Sequence, residues 1–331
     1  MGENMKTRVT EIFGIKYPII QGGLAYLAYA ELAAAVSNAG GLGQITAATL
    51  GTPEKLREEI RKVRTLTDKP FAVNLAIAKH DNGGKYQELL EVVIEEKVPA
   101  ISITGANPQP VFERIKGENI RTLVLVAGAR QAQKAEELGA DAVMAVGQEG
   151  GGHLGRDDIG TMVLIPRVVD SVSIPVIASG GIGDGRGLLA ALSLGAEGIE
   201  MGTRFIATQE CIHANEKYKQ AIVHAKETDT VVIKRTLGAP GRVLKNDFAL
   251  NIIEREQEGA TYEDLRDVIS GKANLEYIYD GNEVEGFGWA GQVIGLINTI
   301  PTVQELFDEM ILTAEKGQSR IDRLFGELNH R

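Results

Sequence analysis

The chain has 331 residues, with 35 basic against 45 acidic side chains and a formal charge of −10. That length supports a large buried core, and 44% hydrophobic with 24% charged residues excludes a disordered chain. The acidic balance removes the charge footprint of a nucleic-acid binder. A single cysteine, Cys211, excludes an internal disulfide framework and any multi-cysteine metal centre. No apolar run approaches the ~20 residues of a membrane helix, and residues 1–8 lack a signal peptide's apolar core. A cytoplasmic location is expected, with no nucleic-acid or membrane partner.

Short β-branched runs alternate with helical patterns along the first two-thirds of the chain. Strands are expected at 18–21, 43–46, 71–75, 100–103, 122–127, 142–146, 175–179 and 198–201. Between them lie helix-length segments such as 53–64, 86–97, 130–138 and 186–194. Residues 137–143 and 193–199 share one pattern, a helix ending on a glycine (Gly139, Gly195) just before a buried strand. Eight such units with short joints predict an α/β fold, a (β/α)8 TIM barrel. A doubly wound open sheet has the same alternation, because strand order cannot be read from one sequence. From Cys211 to Glu285 the alternation fails, and helical patterns at 214–228, 245–257 and 262–270 lack clear intervening strands. The expected organisation is a barrel over 1–210, completed by 286–331, with 211–285 as a smaller helical insertion or lid.

Function in such a barrel sits on the loops after the strands' C-terminal ends. Those loops hold Gln21-Gly22-Gly23-Leu24, Asn74 at strand 3, a glycine-rich run from Gly147 to Gly155, Ser179-Gly180-Gly181-Ile182, and Gly202-Thr203-Arg204. Two glycine turns at adjacent strand ends, with two hydroxyls, suit a phosphate, reinforced by the start of the helix that follows Gly181; tight turns alone are the plainer explanation. No P-loop sequence is present. Of five histidines, His153 stands apart. It ends a triple-glycine run at a strand-6 loop, whereas His80, His213 and His224 sit beside charged or insertion residues and His330 is near the C-terminus. An imidazole there can serve as acid, base or hydrogen-bond donor, or be a solvated loop residue. No partner stands at metal-ligand spacing, so no metal is expected. Asp157 and Asp158 suit the cap of a helix starting near Ile159. Tyr26 and Tyr29 either line the mouth or pack at the first loop, and Cys211 lacks the context that activates a thiol.

These loops resemble the nitronate monooxygenase family. The match runs through Pro18-Ile19-Ile20-Gln21-Gly22-Gly23, residues 33–43, residues 68–74, Gly151-Gly152-His153, residues 177–182, Met201-Gly202-Thr203-Arg204-Phe205 and Ala290-Gly291-Gln292. The resemblance implies an FMN-dependent barrel with a helical second domain, in a family that also contains NAD(P)H:quinone reductases and flavin-type enoyl-acyl-carrier-protein reductases. It implies that Ser179, Gly180, Gly181, Gly202 and Thr203 hold the FMN phosphate. Gly22, Gly23, Leu24, Asn74 and Gly151 would lie along the rest of the cofactor, with His153 as the active-site histidine. The implied activity is oxidation of alkyl nitronates by O2 to a carbonyl compound and nitrite. The alternatives are reduction of a quinone or an enoyl thioester by NAD(P)H; a catalytically silent flavin-binding protein and a phosphosugar enzyme without flavin stand further off. A homodimer fits the resemblance. One position departs from the bacterial relatives, which carry a small polar residue before Ala-Gly-Gln: here Trp289 stands, expected with Tyr26 to line the substrate pocket, either narrowing it or stacking on the substrate.

Overall fold

The computed structural model describes residues 5–77 and 85–328, so His80 and His330 lie outside the described residues. Strands β1 (Ile19–Gln21), β2 (Gly43–Thr46), β3 (Phe71–Ile77), β4 (Ala100–Gly105), β5 (Arg121–Val126) and β6 (Ala142–Val146) come first. After the two-residue β7 (Gly152–His153) follow β8 (Val176–Ser179) and β9 (Gly198–Met201). Without β7 they form one parallel sheet, ordered β1-β9-β8-β6-β5-β4-β3-β2. A parallel bridge between Ile20 and Leu42 joins its two ends. The sheet is therefore a (β/α)8 barrel, and closure removes the open-sheet alternative.

All eight strands lie where the β-branched runs predict them, within a residue or two at their ends. The joints work as expected: Gly40, Gly139 and Gly195 have φ of +99°, +95° and +91°, a left-handed turn that glycine makes without strain. The period-two alternation of the strands separates two layers inside the barrel. Ile20, Leu42, Ala72, Ala100, Leu123, Ala142, Met144 and Ile177 fill the lower part, plugged by Val9, Phe13 and Ile15. On β2, β3, β4, β8 and β9 the inward side chains nearer the C-terminal end turn polar, whereas β5 and β6 keep the apolar Leu125 and Met144. Gln44, Asn74, Ser102, Ser179 and Glu200 are all buried. A dry floor thus carries a polar upper layer at the C-terminal end.

The insertion differs from a purely helical one. Besides helices Glu216–His224, Asp247–Gln257, Tyr262–Leu265 and Gly271–Asp280, it contains β10 (Thr230–Ile233) and β11 (Gly241–Leu244), antiparallel to each other. In turn β11 pairs with β7, placing Gly241 opposite His153. Each run is only four residues long and its third partner lies in a distant loop, so local periodicity carried no signal. Ile233, Val243, Ala249, Ile252, Ala273 and Phe287 give the insertion a small core of its own. No helix among the described residues is long and apolar enough to cross a membrane.

Candidate active site

The loops singled out by sequence converge at the polar end of the barrel. The Gly22 N–H donates to Met201 O (2.8 Å), tying the first loop to the last strand. A Cβ on Gly23 would lie 2.6 Å from Asn74 Cγ, and one on Gly202 would lie 3.2 Å from Leu24 Cδ2. Asn74 donates to Ser102 Oγ (3.0 Å), whose hydroxyl donates to Gln44 Oε1, so the upper layer is a hydrogen-bonded network. A Cβ on Gly151 would meet Gly291 N at 2.6 Å, and Gly291 N–H donates to Thr203 Oγ1 (3.0 Å). Gly22, Gly23, Leu24, Asn74, Gly151, Ser179, Gly180, Gly181, Gly202 and Thr203 therefore form one continuous rim.

The residues present fit a phosphate-bearing cofactor. Gly180 and Gly181 turn consecutively at φ +89° and +74°, a turn in which successive N–H groups can surround an anion. Thr203 Oγ1 accepts from Gly291 and keeps its own proton to donate. One expectation is corrected here. The helix after this turn runs Gly185–Ser193, and Asp184 already caps it, accepting from Arg186 N (2.9 Å) and Gly187 N (3.3 Å). A carboxylate occupies that helix end, leaving the glycine turn and hydroxyls to hold the anion.

Glu200 was not visible as a site residue from sequence. Its carboxyl lies under the first loop, where a Cβ on Gly22 would be 3.3 Å from Oε1. Burial raises its pKa, partly offset by a hydrogen bond with Ser179, and it makes no ion pair among the described residues. A carboxyl whose folded pKa is raised gives up stability as pH climbs above the ordinary carboxylate range, because the unfolded chain releases the proton first. Glu200→Gln is therefore expected to raise Tm more at pH 8 than at pH 5, by on the order of 2 °C for each 1 kcal/mol relieved; thermal melts at the two pH values check it.

At the mouth, His153 is an exposed residue of β7, and its ring lies 5.2 Å from that of Trp289. Lys234 Nζ approaches His153 Nε2 at 3.2 Å and lies 5.1 Å from the Trp289 ring centroid. Surrounding protein first, and the Lys234 charge second, pull the His153 pKa down to about 4. Burial lowers that of Lys234 to about 8, against an opposing pull from Glu256. At neutral pH the imidazole is neutral and Lys234 is predominantly the ammonium.

Sequence reasoning missed Lys234, which lies 81 positions from His153; its only local sign is a position at the end of a β-branched run. Trp289 does not stand free over the pocket. Its Nε1 donates to Asn274 Oδ1 (3.0 Å) and its ring meets Phe287 edge-on, so it backs His153 from the insertion side. Tyr26, at φ +65°, packs its hydroxyl toward Gly271 of the insertion. Tyr29 bonds Tyr279 through the hydroxyls (3.0 Å) and stacks on His213. Asp158 does not cap the next helix. It accepts from Arg235 Nη1 (2.8 Å) and from Gln148, and Glu149 receives Thr161 N–H (2.9 Å) at that helix's start. Cys211 is fully buried with its pKa pushed up to about 12, which leaves no thiolate. No group of three or more His, Cys, Asp or Glu among the described residues is arranged to hold a metal.

A closed barrel with a phosphate-suited turn after its last strands and an imidazole at its mouth has the form of a cofactor-dependent barrel enzyme. The profile of the nitronate monooxygenase family matches residues 6–313. The chain belongs to that family of flavin-dependent oxidoreductases. A probable nitronate monooxygenase of Staphylococcus saprophyticus is 37% identical over 329 residues, spanning 87% of this chain and 92% of the relative. A (3aS,4S,5R,7aS)-5-hydroxy-7a-methyl-1-oxo-octahydro-1H-indene-4-carboxyl-CoA dehydrogenase of Rhodococcus jostii is 33% identical, spanning 97% and 98%. Among solved structures, FabK from Thermotoga maritima superposes with a TM-score of 0.90 at 38% identity, covering 97% of this chain and 99% of that one.

Proposed function

We propose that the protein is an FMN-dependent oxidoreductase that converts alkyl nitronates to a carbonyl compound and nitrite with O2. The observation that carries this reading is the contact of Lys234 Nζ with His153 Nε2 (3.2 Å) at the mouth of the barrel end. That pair is complementary to an anionic oxygen, and a nitronate presents two. FMN, when bound, supplies the electron transfer. Ser179, Gly180, Gly181, Gly202 and Thr203 would hold its phosphate, and Gly22, Gly23, Leu24, Asn74 and Gly151 would border the rest. The overall change balances as one nitronate plus half an O2 giving one carbonyl and one nitrite, with the C–N bond broken and a C=O bond formed. The same observation argues against one role suggested by sequence. An imidazole whose pKa is about 4 is a poor base for removing the α-proton of a neutral nitroalkane.

A second reading keeps the cofactor and changes the donor: NAD(P)H would reduce FMN, and an enoyl thioester or a quinone would reoxidise it. Its support is the Rhodococcus jostii relative named for a carboxyl-CoA thioester, and a carbonyl oxygen would take the place of the nitronate oxygen at His153. A small-molecule substrate, a homodimer and a cytoplasmic location are compatible with either. Anaerobic stopped-flow separates the two. Flavin bleaching by a nitronate alone, with nitrite released once oxygen is admitted, is the expected result. Fast bleaching by NADH or NADPH with none by nitronate would transfer the assignment to the reductase.

A further inference from the structure

We propose that Lys234 is a positioning residue that fixes the His153 proton on Nδ1 and thereby makes the mouth select an anionic substrate over its neutral conjugate acid. An ammonium has three protons and no lone pair, so at 3.2 Å it donates to Nε2, and Nε2 must be unprotonated. The single proton of the neutral ring is then on Nδ1. His153 makes no other side-chain hydrogen bond among the described residues and is exposed, so that N–H is available to a ligand.

The surroundings of Lys234 are built for this aim. Its φ of +62° is a left-handed conformation that a side-chain-bearing residue adopts at a cost. Glu256, on the helix Asp247–Gln257, holds it there, accepting from Lys234 N (2.8 Å), Thr236 N (3.0 Å) and Thr236 Oγ1 (2.8 Å). With the Glu256 carboxylate engaged by those donors, Lys234 Nζ has no ion pair at contact distance among the described residues. It faces the imidazole from β7 and the indole of Trp289 from the 286–291 loop. The next residue, Arg235, is turned away into its pair with Asp158 (2.8 Å), and Arg242 on β11 is bonded to Gln148 O (2.9 Å) and Thr230 Oγ1 (3.1 Å). A buried lysine held in a strained backbone with an imidazole as its hydrogen-bond partner is hard to account for as packing alone.

The anion-selection half of the proposal rests on the nitronate reading; the proton position does not. Lys234→Met keeps an unbranched, flexible side chain and removes the charge. The first readout is 15N NMR of histidine-labelled holoprotein, with His153→Asn assigning the resonance. Wild type is expected to show a neutral Nδ1–H ring from pH 5.5 to 7.5. The Met variant is expected to titrate nearer the ordinary histidine range or to move its proton to Nε2. An unchanged tautomer and titration in a folded, flavin-loaded variant would overturn the proposal. The second readout is kcat/KM for preformed nitronate against neutral nitroalkane. The preference for the anion should fall roughly tenfold, the scale of one charge-assisted hydrogen bond, and Lys234→Arg should restore it. An unchanged preference would overturn the selection role. Wild type that oxidises no nitronate would remove the functional reading while the NMR result still decided the proton position.

Discussion

His153→Asn is expected to lower nitronate turnover by about 10²–10³-fold, the range seen when one donor to an anionic oxygen is disturbed, while the protein keeps its flavin. On the proposed assignment the ring's Nδ1–H is the free donor at the mouth and the residues proposed to hold the phosphate lie elsewhere on the rim, so the two functions separate. Asparagine retains a donor of similar polarity without the conjugated ring that couples Lys234 to the ligand. Steady-state oxygen consumption together with the flavin absorbance of the purified variant checks both halves. Turnover equal to wild type would remove His153 from the mechanism; a colourless protein would mean that the mouth and the cofactor site are not separable. Wild-type activity should also fall as pH rises through about 8. Loss of the Lys234 proton there removes the positive charge behind the imidazole, and with it the attraction for an anion. The Lys234→Met enzyme should lack that alkaline limb.

The other large effect is expected at the phosphate turn. Gly180 and Gly181 are both left-handed, and a Cβ on Gly180 would come to 3.0 Å from Gly147 O and Gly150 N, which are backbone atoms. A left-handed residue with a side chain costs about 1–2 kcal/mol, so the double Gly180→Ala, Gly181→Ala change is expected to weaken FMN binding by about 10²-fold. Fluorescence quenching on titrating the apoprotein with FMN measures this. Riboflavin, which lacks the phosphate, should be affected far less. Equal weakening of both ligands would show that the turn shapes the barrel end generally and does not serve the phosphate. Far-UV circular dichroism of the variant guards against reading an unfolded protein as a binding defect.

The two corrections to the sequence reading have different causes. Asp184 lies three residues beyond the glycine turn, and a helix beginning there looked open to an anion; the side chain of Asp184 folds back and uses its N–H groups. Asp158 precedes a helix and has the right chemistry for a cap, yet Arg235 from the insertion claims it and Glu149 does the capping. For Asp158 the choice of partner depended on a distant segment, Arg235 of the insertion, whereas the Asp184 cap is local, made with residues two and three positions on.

By itself the sequence determined the barrel and the location of its working end. Strand runs, left-handed glycines at the joints and the loops carrying Gly22, Asn74, His153, Ser179 and Thr203 are encoded over a few residues each, where periodicity and turn chemistry act locally. Only the tertiary structure decided the electrostatics of the mouth. Pairing of β11 with β7 brings the insertion against the barrel, so that Lys234 meets His153 across 81 positions and Trp289 is bound into the insertion by Asn274. Closure of β9 onto β1 buries Glu200 beneath Gly22. A side chain's charge state is set by what surrounds it in space, and for these three residues the surroundings come from parts of the chain that no local pattern connects.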